Sequence, residues 1–178
     1  MNRTGVFIGG LTLIVIFIVC PIKNAMAETS RSIPIEIEVP QFINFQALQS
    51  SFMLEFPGFH QGLASNTESV GYFIAANHVM RDRSLVEVLL PSEIPGIRLE
   101  AKFDRYDNQI DGSSLIASSA GFSKISTRPV AMADKKKNKK KRKNQLYGNL
   151  WLQYRALASR DLEAGDRAAV LSVTFSDE

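Results

Sequence analysis

At 178 residues, with 45% hydrophobic content and a formal net charge of +3, the chain suits one domain around one core and is too short for a multidomain assembly. Its single cysteine, Cys20, excludes a disulfide framework and a thiolate metal centre. The charge is unevenly spread: eight of the 21 cations lie between Lys135 and Lys143, and the body around that basic spot is acidic.

The chain opens on a basic end with Arg3, an apolar run from Val6 to Ile22, and Ala25-Met26-Ala27. Small residues at the first and third of those last positions suit the groove of signal peptidase, so residues 1–27 read as a signal peptide cleaved after Ala27. An uncleaved anchor is the rival reading, since the 17 apolar residues from Val6 to Ile22 sit at the lower edge of a membrane span. Cys20 follows Val19, where lipoprotein processing wants a small residue. Cleavage leaves an exported mature chain of residues 28–178 without cysteine; the family resemblance described below implies passage through the periplasm to the cell surface.

Ile33, Ile35, Ile37 and Val39 alternate with Pro34, Glu36, Glu38 and Pro40, the period of a strand with one buried face. Pro34 has no amide hydrogen and confines that strand to an edge. Phe42, Ile43 and Phe45 resume the pattern after Pro40. Phe52, Leu54 and Phe56 follow, stopped by Pro57-Gly58. Val70, Tyr72, Ile74 and Ala76 alternate again, Leu85 to Leu90 is a short run ended by Pro91, and Ile97, Leu99, Ala101 and Phe103 alternate after Pro95-Gly96.

The polar stretch Asp104 to Ser114 reads as a loop, and Leu115 to Ile125 as strand and turn. Near the end, Leu150, Leu152, Tyr154 and Ala156 alternate, Ala164-Gly165-Asp166 turns, and Ala169, Leu171, Val173 and Phe175 alternate. These last two runs predict a hairpin. Short strands at regular spacing, with no long amphipathic helix, predict an antiparallel β-sandwich.

Catalytic signals are missing. His60 and His78 have seventeen residues between them and no neighbouring ligand cluster. No serine sits in a nucleophile signature, and Asp104, Asp107 and Asp111 lack the glycine and terminal glutamate of a calcium loop. The reading is therefore of a non-enzyme with no cofactor and no metal. The run Lys135, Lys136, Lys137, Lys139, Lys140, Lys141, Arg142 and Lys143 repels itself and predicts a solvated loop over 134–145. Without interleaved aromatics, and on an exported chain, it does not point to nucleic acid. Acidic host or cell-surface polymers are the partners it suits.

The opening Ile33-Pro34-Ile35-Glu36-Ile37-Glu38-Val39-Pro40 and the closing Leu162-Glu163-Ala164-Gly165-Asp166, then Val170-Leu171-Ser172-Val173-Thr174-Phe175, resemble the two ends of chaperone-usher fimbrial pilin subunits, most closely the alpha-type, colonisation-factor-like family. Arg167 stands where pilins commonly carry tyrosine, and the basic run is not a family feature. The resemblance implies an incomplete immunoglobulin-like sandwich over 41–178, preceded by a donor strand at 28–40. The partners it implies are other pilin subunits, a periplasmic chaperone and an outer-membrane usher. Ile33, Ile35, Ile37 and Val39 then plug a neighbour's groove. A second reading stays open: the same residues form the first strand of a self-complete, secreted or periplasmic binding module that uses the basic loop.

Overall fold

The computed structural model describes residues 38–136 and 144–177. These residues contain strands and no helix: β1 (Ile43–Ala47), β2 (Glu68–Ala76), β3 (Val86–Leu89), β4 (Ile97–Asn108), β5 (Leu115–Ala117), β6 (Ser123–Lys124), β7 (Val130–Lys135), β8 (Leu146–Ala158) and β9 (Ser172–Phe175). They form a five-stranded sheet in the order β1-β2-β8-β4-β6 and a four-stranded sheet in the order β5-β7-β3-β9. Every pairing is antiparallel, and the two sheets make a β-sandwich around one core.

Period-two alternation decides which face goes inside. On β2, Val70, Tyr72, Ile74 and Ala76 are buried, and in register with them β8 sends in Leu152, Leu150 and Leu146. Leu99 and Ala101 of β4 and Val86 and Val88 of β3 join the same cluster, with Leu115, Ile125 and Met132. Each large apolar side chain withdrawn from water contributes about 1.5–3 kcal/mol, which makes β8, buried at alternate positions along its 13 residues, the spine of the fold.

A hydrogen-bonded aromatic group sits inside this core. Tyr72 and Tyr154 lie with their hydroxyls 2.9 Å apart. Phe45 stacks on Tyr72 at 5.6 Å, and Phe52 stacks on Tyr154 at 5.0 Å. Burial pushes both phenols above their ordinary range, Tyr154 the further of the two, and it pushes Tyr106 up to about 12. Because the folded state holds these protons more tightly than the unfolded chain, the stability they provide is complete below pH 10. It is lost as pH rises from there toward the raised values. Urea midpoints recorded between pH 8 and pH 12 should be flat to about pH 9.5 and then fall, and a flat profile to pH 12 would contradict the buried pair.

Three expectations about the strands change. The predicted closing hairpin does not form: β8 belongs to the five-stranded sheet, while β9 pairs with β3 in the other. Alternation tells a strand which face to bury and is silent about its partner, and residues 159–171 are a connection far longer than a hairpin turn. The expected loop from Asp104 is strand as far as Asn108, because the long β8 continues beside it and pairs with Arg105 through Asn108. An irregularity between Phe103 and Arg105 swings Asp104 outward to accept from Gln153 Nε2 at 3.1 Å. Finally, Phe52, Leu54 and Phe56 are alternately half-buried but join no ladder.

Candidate functional site

The chain's last strand has one hydrogen-bonded side. β9 pairs with β3 from Val86↔Phe175 to Leu89↔Ser172, and among the described residues it is the terminal member of its sheet, with no strand on its outer edge. Its ladder stops where Pro91 follows β3, since proline offers no amide hydrogen. Ala168 to Leu171, which continue the apolar alternation of β9, therefore lie outside any strand, and Val170 is 78% exposed.

Several side chains packed on the core, including those of this edge, are incompletely covered. Leu171, Val173 and Phe175 are half-buried, as are Phe45, Phe52, Leu54 and Phe56 from the amino-terminal part of the domain. Phe45 and Phe175 approach to 6.0 Å between ring centres. A cleft of about 790 Å³ opens where β9 ends, between Gln41, Ile43, His78, Met80 and Phe175. A second, of about 850 Å³, lies before β9 between Pro91, Ile94, Pro95 and Ala168 to Val170. The Asp177 carboxylate pins the tail of the strand: it accepts from the Met80 and Arg81 amides at 2.7 and 2.9 Å and from Gln41 Nε2 at 3.2 Å.

Of the predicted donor residues, Ile33, Ile35 and Ile37 lie outside the described residues. Val39 is described; it belongs to no strand and is 73% exposed. Of the basic run, Lys137, Lys139, Lys140, Lys141, Arg142 and Lys143 also lie outside the described residues. Lys136 is exposed. Lys135 departs from the expectation of a solvated charge: it ends β7 and is only 9% exposed. Its ammonium donates to the Val79 carbonyl at 2.7 Å and meets the Asp82 carboxylate at 3.2 Å. Its place in β7 points the side chain at these acceptors.

His78 lines the first cleft, while His60 and the aspartates of β4 have structural partners. His60 packs against Phe59 with ring centres 4.1 Å apart. Asp107 accepts from Trp151 Nε1 at 2.9 Å and pairs with Arg105, which also meets Asp104. Among the described residues no three His, Cys, Asp or Glu side chains converge as a metal site would require.

The open edge of β9 was not foreseeable from local pattern, because exposure of an edge depends on which strands flank it. The one signal was that Ala169, Leu171, Val173 and Phe175 have the alternation of a strand with one buried face. No protein-family model matches the chain, and comparison with curated proteins and with solved structures finds no match.

Proposed function

We propose that the mature chain is a structural or adhesive subunit of a surface fimbria, joined to its neighbours by strand addition. One observation carries this reading: the final strand of the domain, β9, is an edge beside half-buried aromatic and aliphatic side chains. An unsatisfied edge over apolar groups invites another strand. An amino-terminal strand with four apolar residues on one face, Ile33, Ile35, Ile37 and Val39, has the chemistry to fill it. Backbone hydrogen bonds then supply affinity and the alternate side chains supply register.

The order of pairing supports the same reading. The first, second, eighth and fourth strands lie side by side in one sheet, and the third and last pair in the other. This order fits an immunoglobulin-like sandwich without its closing strand when β5, β6 and β7 are taken as an insertion between its fourth and fifth strands. On this reading a periplasmic chaperone covers the edge first, and at the outer-membrane usher residues 28–40 of the next subunit replace it.

Protein spanning residues 28–178 should form concentration-dependent chains, and deletion of residues 28–40 should stop them. A synthetic peptide of residues 28–40 should then raise the melting temperature of the deleted protein. At a hundredfold excess over Kd the gain is about 2.7 kcal/mol. The same peptide with Ile35→Asp and Ile37→Asp should have no effect. A protein that stays monomeric with its extension, and whose melting ignores the peptide, would end the proposal.

A further inference from the structure

The outer face of the five-stranded sheet carries a compact basic patch that the strand-addition reading does not use. Glu100 of β4 is 6% exposed, and two guanidiniums cover its carboxylate. Arg98 approaches at 3.1 Å, and Arg155 of β8 donates from Nε at 2.9 Å and approaches from its NH2 nitrogen at 2.8 Å. Lys124 of β6 sits directly across from Glu100 in the ladder, and Lys102 follows two positions along β4 on the same face. The Phe122 ring, in the turn before β6, holds the cluster in place. The Arg155 guanidinium lies 4.0 Å and the Lys102 ammonium 4.9 Å from its centre.

Two guanidiniums thus cover one buried carboxylate, and two lysines share its face of the sheet. Outside the basic run the mature chain has eleven cations against eighteen acids, so this patch is a local reversal of the body's charge. The aromatic contacts and the buried carboxylate restrict Arg155 and Lys102 before any ligand arrives, which lowers the ordering cost of binding. The surface is the broad outer face of a sheet, and it suits an extended ligand with repeated negative groups better than a small enclosed anion.

We infer that this patch, made by Arg98, Lys102, Lys124 and Arg155 around Phe122, binds an acidic polysaccharide through its sulfate or carboxylate groups. Charge complementarity supplies the attraction, and charge-assisted hydrogen bonds supply the grip. The patch lies on the outer face of the sheet that does not contain β9, so its role is independent of fibre assembly.

Heparin is a suitable probe, with dextran as its uncharged counterpart. Residues 136–143 of the mature protein are first replaced by Gly and Ser, so that the long basic run contributes nothing. Lys135 is kept because it is buried. This parent should bind heparin, release it as salt rises, and ignore dextran. Adding Lys102→Gln and Lys124→Gln should weaken binding by about tenfold while leaving the melting temperature unchanged, since neither lysine is buried. A parent that does not bind heparin, a double variant of equal affinity, or preference for vesicles of anionic lipid over heparin would each overturn the inference. None of these outcomes depends on chain formation.

Discussion

Replacing Tyr154 by Ala should cost about 3–5 kcal/mol of folding stability, the range for removing a large aromatic side chain from a core. Tyr154 is fully buried on the central strand β8, stacked by Phe52 and hydrogen-bonded to Tyr72. Its loss opens a cavity and leaves the Tyr72 hydroxyl buried without its partner. Tyr154→Phe separates the two effects: it keeps the ring and should cost about 1–3 kcal/mol for the orphaned hydroxyl. The double change Tyr72→Phe with Tyr154→Phe should recover most of that loss, because two apolar rings need no partner. Urea unfolding of the three variants measures these differences. A double variant no more stable than Tyr154→Phe would mean that the pair is not coupled.

Gly148→Ala should destabilise by about 1–3 kcal/mol, the cost of forcing an extra group into a packed site, against the usual trend. Within a strand, alanine is ordinarily better than glycine by roughly 0.5–1 kcal/mol, because glycine loses more freedom on folding. Gly148, however, pairs with Asn108 at the far end of the β4–β8 ladder, and a Cβ there would run into the Asp107 carbonyl oxygen. Backbone cannot swing aside as a side chain does, so the ladder must shift. Gly71 on β2 is the control. An added Cβ there meets Leu48 Cδ1 at 2.8 Å and the Trp151 ring at 3.0 Å, side-chain atoms on the outer side of the sheet that have room to move. Gly71→Ala should therefore cost much less than Gly148→Ala, and thermal melts that rank the two the other way would refute the argument.

Both predictions converge on β8, which pairs with β2 on one side and β4 on the other. Every strand of the five-stranded sheet except β1 and β6 depends on it directly. The β9 edge depends instead on β3, a strand of four residues, so the proposed docking edge is held by the shorter ladders of the molecule. A weakly held edge is suited to accepting a further strand, since a new ladder on its free side adds hydrogen bonds without removing any.

The buried face of each main strand was legible residue by residue. Val70, Tyr72, Ile74 and Ala76 go inside, as do Leu150, Leu152, Tyr154 and Ala156, because alternation along a pleated chain is a local property that a sequence displays directly. The prediction of a two-sheet, all-β architecture follows from the same strands, their turn residues and the lack of any helical period. Pairing was not legible. That β9 crosses to β3 and β8 does not turn back on it, that Asp104 to Asn108 continue a strand, and that Lys135 is buried against the Val79 carbonyl are all decided by neighbours distant in the chain. Those contacts depend on how the sheets close around their shared core, and so the open edge and the basic patch exist only in the folded molecule. They are built from residues that, taken along the chain, have no reason to meet.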